Sequence, residues 1–235
     1  MVQDSHIVSS FDHDLEGLQA MLMRMGGLVE AALTRAVEAL EAGDISVADE
    51  VIANDRAVDG LDEQINIEAA RILATRAPTA SDLRMVLSVM RASTNLERVG
   101  DYAKNVAKRT KVLSGSSGHT AVVGTIRAMA KVVTVMLDEA LSALVQRDAV
   151  LAAAVRARDV DVDRIYNDVF RTLLEDMTRD PAIGSAITHL HFIAKNIERA
   201  GDHATGIAEQ AIYLVSGSLP TDDRPKSSAM SAGVV

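Results

Sequence analysis

Two stretches of this chain carry the same pair of acids at the same spacing. Asn95-Leu96-Glu97-Arg98-Val99-Gly100-Asp101 returns as Asn196-Ile197-Glu198-Arg199-Ala200-Gly201-Asp202, with five of the seven residues identical. A second acid pair repeats as well: Asp55-x-x-x-Asp59 matches Asp159-x-x-x-Asp163. On a helix, residues four apart share a face, about 6 Å from one another, and like charges there destabilise by roughly 0.2–0.5 kcal/mol. Something must offset that repulsion. Carboxylates converging without thiolates suit hard cations, or iron and manganese. The alternative is local pairing with Arg98, Lys104, Arg199, Lys195, Arg56 and Arg158.

The elements that must hold these acids are long helices. The breakers are few: Gly43-Asp44, Arg76-Ala77-Pro78, Ser114–Gly118, Asp180-Pro181 and a tail from Ser216. Between them, apolar residues recur at helical spacing, as in Leu28, Ala32, Ala36 and Ala39 or Leu83, Val86, Leu87 and Met90. Thr79-x-x-Asp82 reads as a capping box, and Asp180-Pro181 as an N-cap with proline at N1. The spacing predicts six helices, at about 12–42, 45–75, 79–113, 120–147, 149–178 and 182–214. Short connections make neighbours antiparallel. The predicted fold is all-α: two tandem three-helix bundles, residues 1–113 and 120–215, joined by a linker at 114–119 and followed by a disordered tail at 216–235.

Counting outward from the turns places the acids. Asp59 and Asp55 precede Ala77 by 18 and 22 residues, while Glu97 and Asp101 follow it by 20 and 24. Around Asp180 the corresponding counts are 17 and 21 for Asp163 and Asp159, and 18 and 22 for Glu198 and Asp202. Equal distances from the turn of an antiparallel hairpin mean equal height. Each half is therefore expected to bring four carboxylates to one level across two adjacent helices.

Other chemistry is poorly represented. With no cysteine among 235 residues, disulfides, thiolate metal sites and cysteine nucleophiles are excluded, and a cytoplasmic location is expected. The net charge of −9 argues against a general nucleic-acid surface and against electrostatic membrane attachment. The N-terminal residues do not read as a signal peptide, and no apolar run is long enough to span a membrane. No Glu-x-x-His occurs, which weighs against a ferritin-like di-iron enzyme. His191 stands where the other half has Met90 and reads as a packing histidine; the methionines read as core. Gly26-Gly27 follows a helical run and is not a phosphate loop.

The chain resembles the PhoU family of phosphate-signalling proteins over residues 10–214. The resemblance rests on Phe11-x-x-x-Leu15, Met25-Gly26-Gly27-Leu28-Val29-Glu30, Arg76-x-Pro78-Thr79-Ala80-Ser81-Asp82-Leu83-Arg84, Leu96-Glu97-Arg98-x-Gly100-Asp101 and Ile197-Glu198-Arg199-x-Gly201-Asp202. It implies multinuclear metal sites on Asp55, Asp59, Glu97 and Asp101, and on Asp159, Asp163, Glu198 and Asp202, with iron, zinc, manganese or magnesium as the ion. It implies no catalysis. It further implies a cytoplasmic, often dimeric, negative regulator of the phosphate-starvation response, linking the ATPase of the phosphate ABC transporter to a membrane sensor histidine kinase. A metal-dependent enzyme and a metal-free helical scaffold remain as rival expectations.

Overall fold

A computed structural model describes the backbone of residues 2–114 and 120–221, and side chains from residue 11 onward, except that of Thr120. Six α-helices follow one another: α1 Val2–Ala42, α2 Ile45–Arg76, α3 Ala80–Leu113, α4 Thr120–Gln146, α5 Ala149–Arg179 and α6 Gly184–Ser216. A 3₁₀ turn, Pro181–Ile183, precedes α6, and the described residues include no strand. The helix α1 starts ten residues earlier than its periodicity predicts. Most of the expected linker lies outside the described residues, as do residues 222–235 of the expected tail. The start of that tail is ordered. Gly217 closes α6 in the left-handed region at φ 80°, its N–H donating to Tyr213 O at 2.8 Å, and Ser218 N donates to Ser216 Oγ.

Local chemistry explains the turns, and it is duplicated. Gly43 and Arg147 both adopt positive φ, at 66° and 56°. The next residue in each case, Asp44 or Asp148, donates its N–H back to the carbonyl of Ala39 or Ala143 at 2.9 Å. This satisfies the last carbonyls of one helix. The same aspartates accept from two N–H groups of the next helix, Ser46 and Val47 or Val150 and Leu151. One residue thus ends one helix and begins another. Asp180 accepts from Ala182 N ahead of Pro181, as its sequence predicts. The capping box at Thr79 does not form. Ala77 and Ala80 both turn left-handed, and the Thr79 side chain accepts no bond from the first turn of α3. Only its backbone carbonyl is used, by Asp82 N at 3.2 Å.

Helices α1–α3 form one bundle and α4–α6 the other, and the two pack side by side through α1 against α4 and α3 against α6. Both pairs run antiparallel: Arg127 meets Glu41 while Leu141 meets Gly26, and Arg91 meets Gln210 while Arg109 meets His189. A Cβ on Gly26 would fall 2.3 Å from Leu141 Cδ1, so any side chain there would force the end of Leu141 to move. The buried apolar side chains make one continuous core through both bundles. Met25, Met85, Met129 and Met136 are within it, as their periodicity predicts, whereas Met23 is exposed.

Candidate functional site

The acids of the first bundle gather on adjoining faces of α2 and α3. Asp55 is 6% exposed, and its carboxylate accepts from Lys104 Nζ at 2.5 Å. The same ammonium lies 3.5 Å from Asp101. Arg98 stands 3.4 Å from Glu97 and 3.8 Å from Asp101. Burial raises the pKa of Asp59, and the charges of Asp55, Asp101 and Asp62 push it further against the pull of Lys104. Burial also raises Glu97, with Arg98 opposing and Asp101, Asp59 and Asp62 adding to it. The hydrogen bond to Asp55 holds the Lys104 ammonium above its ordinary pKa. All four expected acids of this half are therefore electrostatic neighbours.

Asp62 belongs to the same group and was not singled out by its spacing. It stands one turn beyond Asp59; one carboxylate oxygen accepts from Asn66 Nδ2 at 3.2 Å, while Oδ1 is buried with no hydrogen-bond partner.

The second bundle repeats the acids in a different setting. Asp159 is 6% exposed, matching Asp55. Burial raises the pKa of Glu198, a hydrogen bond from Lys195 opposes it, and Asp202 and Asp163 add to it. Lys195 Nζ donates to Glu198 Oε1 at 2.7 Å, while Glu198 Oε2 is buried without a partner. Where the first bundle has Asp62, this one has Tyr166, whose ring lies 5.1 Å from the Lys195 ammonium.

The glycine of each motif has a measurable role. A Cβ on Gly100 would lie 3.2 Å from Val58 Cγ1 and 3.7 Å from Asp55 Oδ1; on Gly201, 3.3 Å from Val162 Cγ1 and 3.6 Å from Asp159 Oδ1. Each glycine thus lets the acid-bearing helices close on one another. Its position one residue before the second acid is the signal that marks it.

The histidines take structural places. The His191 ring packs among Tyr166, Phe170 and Phe192 at centroid distances of 6.1, 5.3 and 6.0 Å, and burial followed by Lys195 lowers its pKa. His203 crosses to α3, where its Nδ1 meets Asn95 Oδ1 at 2.7 Å and its Nε2 meets Tyr102 Oη at 3.3 Å.

For a metal ion, the donor chemistry fits: every candidate ligand is a carboxylate oxygen, and two buried carboxylate oxygens, on Asp62 and Glu198, lack partners. As the side chains stand, lysines fill the role of counter-charge. Among the described residues, no three acidic or histidine side chains form a group able to hold one ion.

The PhoU domain model matches residues 22–110 and 126–211, one match on each bundle. This chain belongs to the PhoU family. A Rhizobium meliloti protein named phosphate-specific transport system accessory protein PhoU homolog is 40% identical over 222 residues, covering 94% of each chain. Its Zymomonas mobilis namesake is 42% identical over 230 residues, covering 97% of this chain and 96% of its own. The crystal structure of PhoU from Pseudomonas aeruginosa superposes with a TM-score of 0.84 at 38% identity, covering 88% of this chain and all of that one. That of the phosphate transport system regulatory protein PhoU from Streptococcus pneumoniae gives 0.83 at 28%, covering 89% and 99%. These names describe accessory and regulatory proteins, not enzymes. Among the described residues, no helix is long and apolar enough to cross a membrane.

Proposed function

We propose that this protein is a cytoplasmic regulator of phosphate homeostasis that restrains the phosphate-starvation response. In this reading it acts by binding other proteins, coupling the ATPase of a phosphate ABC transporter to a membrane sensor histidine kinase, and it works as a homodimer. One observation carries the pathway: similarity along nearly the whole chain to proteins named as accessory to phosphate-specific transport. The fold supports a binding role, because six long helices offer extended faces for partners. The test is genetic. In a strain cleared of paralogues, deleting the gene is expected to switch on phosphate-acquisition genes in phosphate-rich medium, and restoring it to silence them. Unchanged expression in the deletion strain rejects the reading.

The carboxylate groups are proposed as sites for hard or borderline cations: Asp55, Asp59, Glu97 and Asp101 in one bundle, Asp159, Asp163, Glu198 and Asp202 in the other. Iron, zinc, manganese and magnesium are the candidates. The support comes from the internal repeat. The four acids recur, but Lys104 has Thr205 as its counterpart and Lys195 has Thr94. If ion pairing were the purpose of the acids, both halves would be expected to retain a cation in the same place. A bound cation would neutralise the clustered carboxylates and order the α2–α3 and α5–α6 faces. The lysine contacts favour a second reading, a metal-free scaffold. Elemental analysis of protein purified without chelator separates the two: metal in the wild type, with the first site alone lost in Glu97→Ala/Asp101→Ala, supports the sites. Equal metal in both proteins removes them.

A further inference from the structure

Along the outer edge of the α3–α6 seam runs a second polar feature that shares only Arg98 with the carboxylate sites. On α3, Arg91, Asn95, Arg98, Tyr102, Asn105 and Arg109 follow one another at alternating steps of four and three. That alternation keeps residues on one stripe, the pattern by which a helix presents itself to another helix. On α6, Phe192, Asn196, Arg199, His203, Gln210 and Tyr213 fall on the facing stripe, with His189 and Gly206 completing the interval. Contacts across the seam show that the stripes meet. Arg91 approaches Gln210 at 3.5 Å and lies over the Tyr213 ring, Asn95 and Tyr102 meet His203, and Arg109 lies 4.3 Å over the Phe192 ring.

The composition of the stripe opposes that of the protein. The chain has 33 acids and a net charge of −9, yet no position of the stripe is Asp, Glu or Lys, and four are Arg. Arginine and aromatic enrichment with depletion of Lys, Glu and Asp is the composition of protein interfaces. Phe192 is 45% exposed, although a buried place would be more favourable for it, and Arg91 and Arg199 are also exposed. Glu97 and Asp101 engage only Arg98 among the four.

We propose that this stripe is a docking surface for an acidic amphipathic helix of a partner protein. It goes beyond the regulatory reading above, since it assigns a surface and a partner chemistry and names no pathway. From Arg91 to Arg109 the stripe runs about 27 Å, at 1.5 Å per residue, enough for five turns of a docked helix. A second copy of this chain docking stripe to stripe would set guanidinium against guanidinium, so charge favours a different partner.

The test uses the full chain and two labelled helical peptides of equal length, alike except that one carries Glu and the other Lys at its a and d positions. The Glu peptide is expected to bind in a salt-dependent manner and the Lys peptide not to bind. Arg91→Glu/Arg199→Glu is expected to weaken the Glu peptide about tenfold, the sum of two exposed ion pairs. Arg164→Glu/Arg171→Glu, on α5, makes the same change in net charge and leaves binding unchanged. A benzoylphenylalanine at position 192 is expected to attach to the Glu peptide. Circular dichroism verifies that the reversed variant stays folded. Equal binding of the two peptides, no binding of either, an unaffected double variant, or attachment at position 192 to a second copy of the chain overturns the proposal. The gene-expression test can still succeed in that event, through another face, so the two failures are distinguishable.

Discussion

The two bundles contain the same acids and neutralise them differently. In the first, Lys104 reaches from one turn beyond the motif to the buried Asp55 and to Asp101, and Asp62 adds a fifth carboxylate. In the second, Lys195 reaches from one turn before the motif to Glu198, and Tyr166 stands in for Asp62. A duplicated unit preserved its acids, its glycines and its caps while its lysines were placed separately. The first group is thus more crowded with negative charge and is answered by Lys104 and Arg98; the second has fewer acids and a more exposed lysine–carboxylate pair.

The largest expected contrast comes from removing those ammonium groups. Lys104→Ala leaves Asp55 buried without its partner and is expected to cost about 3 kcal/mol. Lys195→Ala removes one hydrogen bond to a more accessible pair and is expected to cost about 1 kcal/mol. Urea denaturation measures both, and equal losses would break the comparison. Adding manganese at a hundred times its dissociation constant would restore about 2.7 kcal/mol to Lys104→Ala if the acids take a cation. No rescue would favour the metal-free scaffold.

The glycines should behave alike, because their surroundings do. Gly100→Val and Gly201→Val each drive new methyl groups into the facing helix and are expected to cost about 2 kcal/mol. A loss confined to one of them would show that the bundles differ in packing as well as in charge. The duplicated caps should be equal at a smaller scale: Asp44→Ala and Asp148→Ala each remove two accepted bonds and should lower stability by about 1 kcal/mol.

The smallest difference is in pH dependence. Asp59, Glu97 and Glu198 all have folded pKa values raised above their unfolded ones, mainly by burial. What such a group contributes is complete below its unfolded pKa and is lost as pH rises through the folded value. Replacement by the carboxamide should therefore flatten the decline in stability above about pH 4. Asp59→Asn/Glu97→Gln, which removes two such groups, should flatten it more than Glu198→Gln, which removes one. Thermal melts from pH 4 to 8, a window set by the unfolded carboxyl range, read this. A steeper effect from Glu198→Gln would reverse the ranking of the two acid groups.

Much of this was open to reading in the chain itself. The helices follow from apolar periodicity, because burying one stripe per helix demands it. The level of the acids follows from counting, because helical rise is constant, and Asp59, Asp101 and Glu97 lie within electrostatic reach of one another across α2 and α3. Asp62 escaped notice because it lies outside the Glu/Asp-x-x-x-Asp spacing, and only the packing of α2 on α3 brings it to Glu97. The Thr79 cap expected from the sequence does not form because Ala77 and Ala80 spend two left-handed residues on the α2–α3 turn, which no local residue signals.

By itself, then, the sequence determined six helices, two repeats and which acids share a face, since each depends on spacing along one helix or one hairpin. Which lysine answers which acid was decided only in the tertiary structure. So was the side-by-side joining of the bundles through α1 with α4 and α3 with α6. Both depend on side chains far apart in the chain meeting across a crossing between helices. Gly26 against Leu141 and Asn95 against His203 are such meetings, and helical periodicity carries no term for them.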